Sequence, residues 1–188
     1  MTAYWLLLAF TLLERLVEML VSRSNAAWSF ARGGREAGAS HFPVMIALHA
    51  AFLVGCVVEP LLRGTASISA FGQVAFVVAL LCQVLRWWCI RTLGRQWNTR
   101  VIVVPGAARV IGGPYRWLRH PNYLAVVVEG LALPAVAGAW VTAMLFTVAN
   151  ALLLRRRLAT ENLALDALRA SVDEGSGGGR WREAGTTA

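Results

Sequence analysis

Long apolar runs constrain this chain more than any other feature. They cover about residues 3–21, 41–61 and 68–90. At about 1.5 Å of rise per residue, each is long enough to cross the roughly 30 Å hydrocarbon core of a bilayer. The next stretch behaves differently: Tyr123–Leu133 meets Pro134 and Gly138 before apolar sequence resumes over Trp140–Leu154. Each half is too short to cross comfortably as a straight helix, and Pro134 and Gly138 mark a break. The pattern predicts an all-α integral membrane protein of about five membrane segments, the last two forming a helical hairpin. Hydrophobic residues make up 57% of the chain, against roughly 45–50% in soluble domains.

The charges set an expected orientation. The net charge is +8 and every basic residue is arginine. Arg23, Arg32 and Arg35 lie between the first two runs, and the connection 91–121 carries Arg91, Arg95, Arg100, Arg109, Arg116 and Arg119 without an acid. Arg155, Arg156 and Arg157 follow the last run. Basic loops stay on the cytoplasmic side, so the N-terminus is expected outside, with both large loops and the C-terminus in the cytoplasm of a multi-pass cell-membrane protein. The arginines sit in short loops between spans, which argues against nucleic acid as a partner. Cys56, Cys82 and Cys89 have no metal-binding spacing and read as small packing residues. The first run carries Glu14, Arg15 and Glu18, unlike the apolar core of a signal peptide. Residues 171–188 are polar and glycine-rich and are expected to be a disordered tail.

Ionisable residues inside spans are costly and tend to be functional. Glu14, Arg15 and Glu18 lie close on one helix surface. Arg86 and Glu59 lie near span ends, where snorkelling accounts for them. Glu129 stands alone one to two turns inside the fourth segment, seven residues after Asn122 and so on about the same face; it is expected to face a cavity. Ahead of it, "GGPYRWLRHPNYL" (Gly112–Leu124) clusters Arg116, Arg119 and His120 before a helix start at Pro121, whose missing N–H costs nothing there. The unpaired N–H groups of that start favour an anion. Tyr115, Trp117 and Tyr123 add aromatic faces with polar tips. In "RRRLATENLALDAL" (Arg155–Leu168), Arg157 and Glu161 share a helix face, and Glu161 with Asn162 offers polar groups at the membrane surface.

Together, "GPYRWLRHPNYL" and the "RLATEN" that follows it resemble the isoprenylcysteine carboxyl methyltransferase superfamily of membrane enzymes. The resemblance covers about Leu93 to Leu165. It implies S-adenosylmethionine as methyl donor, with S-adenosylhomocysteine as product, and a lipophilic substrate drawn from the bilayer. It also implies a cofactor pocket between the cytoplasmic loop and the C-terminal helix. Carried over, Tyr115, Arg119, His120, Pro121 and Tyr123 match the cofactor-side motif and Arg157 and Glu161 the last motif; the first five, Asn122 beside them and Glu161 are the expected cofactor-side residues. Arg157, Glu161 and Glu129 are the expected catalytic residues; Arg157, Asn162 and Glu129 are expected at the substrate. Asn162 stands where the family pattern has a second glutamate. The resemblance divides the chain into three membrane segments (1–92), a methyltransferase region (93–170) and the tail (171–188).

Glu14–His49 and Leu93–Glu129 look like bacterial enzymes associated with type III polyketide synthases, which O-methylate alkylpyrones or alkylresorcinols. The expected reaction is in-line, metal-independent methyl transfer to a polyketide lipid hydroxyl, with a prenylcysteine carboxylate as the alternative. A carboxylate needs no base, whereas a phenol with a pKa near 10 benefits from one; Glu161, Glu129 and His120 are the candidates. Two other readings compete. An NADPH-dependent membrane reductase would need more chain for its larger cofactor. A non-enzymatic protein binding anionic membrane lipid would leave Glu129 and the RHPNY turn without a role.

Overall fold

The computed structural model describes residues 1–39, 41–108 and 110–177; the side chains of 41, 161, 162 and 164–177 fall outside this description. Five helices form the body: α1 (Thr2–Phe30), α2 (His41–Leu62), α3 (Ala70–Leu93), α4 (Pro121–Val136) and α5 (Trp140–Gly177). The stretches Phe42–Leu62 and Ala70–Gln96 are long and apolar enough to cross a membrane. Besides the helices there is a ribbon of β1 (Arg35–Ala37) and β2 (Val101–Val103), antiparallel, with Arg35 opposite Val103 and Ala37 opposite Val101. The all-α expectation did not contain this ribbon. Three-residue strands are too short to show a period of two, and tertiary packing sets their pairing.

The distribution of polarity is inverted relative to a water-soluble bundle. The buried face of α1 includes Thr11, Glu14, Glu18, Ser22, Asn25 and Ser29. Its outward face carries Leu6, Phe10, Leu13, Leu16 and Leu20. Such a continuous apolar exterior suits lipid and is rare on soluble monomers. The apolar core lies toward the other end of the bundle, where Tyr4, Leu7, Phe52, Cys56, Leu133, Val136 and Phe146 meet. Cys56, Cys82 and Cys89 are buried and unbridged.

The hairpin turns at Gly138, not at Pro134. Pro134 lies inside α4, which continues to Val136. One turn from a helix end, a missing N–H sacrifices a single bond. The Pro134 carbonyl in turn accepts the N–H groups of Ala137 and Ala139 at 3.2 and 2.9 Å, closing the chain reversal. Gly138 supplies the positive φ of 68° that the reversal needs. Glu59 secures the start of α5. Its carboxylate accepts the Val141 and Thr142 N–H groups at 3.1 and 2.8 Å and pairs with Arg63 at 3.2 Å. It therefore caps a neighbouring helix end, a role beyond the snorkelling expected of it. At the other end, α5 continues through Gly177, into the stretch expected to be disordered; 178–188 lie outside the described residues.

Candidate active site

The C-terminal part of the polar stripe of α1, at Ser22 and Asn25, holds a loop. Ser22 Oγ donates to Asn98 Oδ1 at 2.7 Å and accepts the Thr99 N–H at 3.1 Å. Asn25 Nδ2 donates to the carbonyls of Gly94 and Trp97 at 3.0 and 2.8 Å. Arg100 pairs with Glu36 of the ribbon at 3.3 Å, and Arg157 of α5 donates to the Thr99 carbonyl at 2.8 Å. The connection leaving α3 is thus tied to α1, to β1 and to α5.

The same connection then forms the turn that precedes α4. Gly113 has φ +53°, and a Cβ there would stand 2.5 Å from Thr92 Oγ1 of α3. Conformation and close packing both demand glycine at this position. A 3₁₀ turn follows over Gly113–Arg116. Pro121 is the first residue of α4, as its chemistry predicts. His120 stacks on Tyr123, with ring centroids 5.3 Å apart and planes at 11°.

These pieces enclose a cavity of about 510 Å³, within the roughly 300–1,000 Å³ typical of small-molecule sites. Of the residues expected from sequence, Tyr115, Arg119, His120, Asn122, Tyr123 and Arg157 line it. Pro121 is buried at the helix start and does not line it. The Arg157 guanidinium lies 5.8 Å from the Tyr123 ring and also meets the sulfur of Met45 on α2. Glu161 and Asn162 belong to α5, but their side chains lie outside the described residues.

The cavity also has lining residues that sequence reasoning did not single out. Asn98 and Asn150 are among them; Arg15, Glu18 and Arg86, noted in the sequence only as charges within spans, line it too. Asn150 precedes Arg157 by seven residues, two turns up one helix face. That spacing, in an otherwise apolar run, was its available signal. Four lining residues hold buried polar atoms without a partner among the described residues: Asn98 Nδ2, Asn122 Oδ1, Asn150 Oδ1 and Arg157 Nε. Buried polar groups are normally paired, so this mix of donors and acceptors is bonding capacity that a polar ligand would fill.

Glu129 is not a lone acid. It is buried and accepts from Arg15 Nη2 at 3.3 Å and Gln83 Nε2 at 3.0 Å. It borders a separate void of about 20 Å³ rather than the large cavity. Arg86 does not snorkel either. It is buried, donating to both oxygens of Glu18 at 2.7 and 2.5 Å. Arg15 donates to Glu18 at 2.9 Å and to Gln83 at 2.9 Å. Trp87 donates to Glu14. Arg15, Glu18, Arg86 and Glu129, with Gln83, thus form one linked network across α1, α3 and α4, with Glu14 and Trp87 as a separate pair, and Arg15, Glu18 and Arg86 reach the cavity wall.

A helical bundle with an apolar exterior, and a basic turn over a cavity lined by both polar and apolar side chains, is an architecture suited to a membrane protein that takes an amphipathic ligand. The isoprenylcysteine carboxyl methyltransferase (ICMT) family profile matches residues 74–167, and the chain belongs to this family of membrane methyltransferases, which use S-adenosylmethionine. It is also similar to the uncharacterised protein YpbQ of Bacillus subtilis (strain 168), with 40% identity over 162 residues, covering 86% of this chain and 96% of that protein. The residues present fit the cofactor. Its amino-acid end and adenine together need donors and acceptors, and the cavity offers unpaired examples of both.

Proposed function

We propose that the protein transfers a methyl group from S-adenosylmethionine to a hydroxyl of a lipid, a polyketide-type alkylresorcinol or alkylpyrone. One observation carries the lipid reading. Leu12, Leu16 and Met19 of α1 and Ile46 of α2 line the cavity and are exposed on the bundle exterior. The cavity therefore has a polar end beneath the basic loop and an apolar flank continuous with the surface that lipid covers. A soluble cofactor and a membrane-dissolved acceptor can meet in it from different sides.

In this reading each residue has a task. Arg119 and His120, with the N-terminus of α4, hold the cofactor carboxylate. Tyr115 and Tyr123 present ring faces that favour positive charge. Arg157 orients the acceptor oxygen, and the Thr99 carbonyl and Tyr123 hold Arg157 in place. The bound cofactor supplies an electrophilic methyl group on a sulfonium. The protein's contribution is chiefly alignment, which can be worth several kcal/mol of barrier. Glu161 and Asn162 complete the acceptor side, and Glu129 acts from behind the wall by fixing Arg15. The basic loops and C-terminus face the cytoplasm and the N-terminus faces outside, so the cofactor enters from the cytoplasm. A type III polyketide synthase is the functional partner that would supply the lipid. The hydroxyl-over-carboxylate choice leans on the resemblance of Glu14–His49 and Leu93–Glu129 to the polyketide-lipid enzymes.

The test is methyl transfer from radiolabelled S-adenosylmethionine by the purified protein in lipid nanodiscs. An alkylresorcinol, an alkylpyrone and a farnesylated cysteine analogue are offered as acceptors. Label is expected in a polyketide lipid and is expected to vanish with Arg157→Ala. Label in the farnesylated cysteine alone would replace the substrate. No label in any acceptor, together with no cofactor binding, would overturn the proposal.

A further inference from the structure

We infer that His49 is the general base of the acceptor site, and that the acceptor is therefore a phenolic or enolic hydroxyl rather than a carboxylate. This rests on the methyltransferase reading above and narrows it.

His49 lies on α2, at the end of the Glu14–His49 stretch and outside the Gly112–Leu124 and Arg155–Leu168 motifs. It lines both the large cavity and the small void behind it. Its Nδ1 is 2.9 Å from the carbonyl oxygen of Met45. A carbonyl only accepts, so Nδ1 carries the proton and, in the neutral ring, Nε2 presents a lone pair. Among the described residues Nε2 has no hydrogen-bond partner. The ring is fixed from a second side by Phe146, edge-on with centroids 5.3 Å apart and planes at 84°. Gly130 makes that contact possible, since a Cβ there would overlap the Phe146 ring. A lone pair facing a cavity, on a ring oriented by a third group, is the arrangement of an activating base.

Met45 links this ring to Arg157. Its carbonyl holds His49, and its sulfur touches the Arg157 guanidinium. One turn of α2, about 6 Å of rise, separates Met45 from His49. A guanidinium to hold an oxygen and a lone pair to take its proton therefore flank one stretch of cavity. Two acids near the ring are committed elsewhere: Glu18 to Arg86 and Arg15, Glu129 to Arg15 and Gln83. His120 stacks on Tyr123 in the cofactor motif. The charged groups that act on His49 are Arg15 and Glu18 of α1, Arg86 of α3, Glu129 of α4 and, through Met45, Arg157 of α5.

The chemistry balances without a further reactant. The acceptor O–H bond breaks as its proton passes to Nε2. The oxygen electron pair forms the new bond to the methyl carbon, and the electrons of the broken C–S bond return to sulfur as a neutral thioether. The imidazolium then releases its proton to solvent. A carboxylate acceptor, already ionised at neutral pH, would give His49 nothing to do.

The experiment compares wild type, His49→Gln and His49→Phe in nanodiscs; the phenylalanine keeps the packing against Phe146. The acceptors are pentadecylresorcinol, a nitro-substituted analogue whose hydroxyl is ionised at the assay pH, and a farnesylated cysteine analogue. Cofactor binding is followed by calorimetry, and histidine nitrogens by NMR of the ¹⁵N-histidine-labelled protein. Both variants are expected to lose about 10²–10⁴-fold in kcat on pentadecylresorcinol, while the ionised analogue and cofactor affinity are unaffected. Nε2 is expected to give an unprotonated signal at neutral pH that shifts on adding pentadecylresorcinol. Equal losses on neutral and ionised acceptors, no loss at all, loss of cofactor binding in both variants, or a proton on Nε2 with none on Nδ1 would each overturn the assignment. Wild-type transfer to the farnesylated cysteine alone would overturn it while leaving a methyltransferase. No transfer to any acceptor would overturn the underlying reading as well.

Discussion

Two polar regions lie side by side inside this membrane bundle, and they are built on opposite principles. In the network of α1, α3 and α4, Arg86 and Glu18 satisfy each other, and Arg15 is shared among Glu18, Gln83 and Glu129. In the cavity wall, Asn98, Asn122, Asn150 and Arg157 each keep a buried atom without a partner among the described residues. The first region spends its hydrogen bonds on itself and so fixes helix positions. The second holds bonds in reserve for something that arrives. Intramembrane charge alone does not identify a site; unfilled bonding capacity next to open volume does.

The contrast can be broken by substitution. The largest effect on the fold is expected from Arg86→Ala, which takes from the buried Glu18 its two shortest bonds. Breaking a buried pair from one side costs about 3–5 kcal/mol, to be read from chemical or thermal unfolding in lipid nanodiscs. A change below about 1 kcal/mol, the range of exposed pairs, would mean the network is not structural. Asn150→Ala should do the reverse. Unfolding should change far less than in Arg86→Ala, because no described residue bonds its oxygen, while cofactor affinity falls about tenfold, or about 1.4 kcal/mol, by calorimetry. Loss of stability with unchanged affinity would move Asn150 into the first region. The smallest effect belongs to Arg63→Ala at the far end of the bundle. Arg63 is half-exposed in its pair with Glu59, so a loss under about 1 kcal/mol is expected in the same unfolding assay.

The helices and the turn ahead of α4 were legible because their signals are local. Apolar runs mark spans, and the fixed φ of Pro121 opens α4 where its chemistry says it should. Six of the expected site residues line one cavity because a single turn and the first turn of α4 carry most of them. What escaped was relational. Arg86 looked like a span-end arginine because its partner Glu18 sits 68 residues away on another helix. Glu129 looked solitary for the same reason. Pro134 looked like a helix terminator, but its carbonyl serves the turn that follows. The ribbon has no pattern of its own; Arg35–Ala37 extends because Val101–Val103 is held opposite it.

The apolar flank formed by Leu12, Leu16, Met19 and Ile46 has a kinetic consequence. On the proposed reading, the acceptor finds the site by diffusing within a sheet two molecules thick. Its bulk concentration then has little meaning for saturation. What the enzyme senses is the acceptor's mole fraction among surrounding lipids, so diluting the vesicles leaves the occupancy of the site unchanged, and adding inert lipid lowers it.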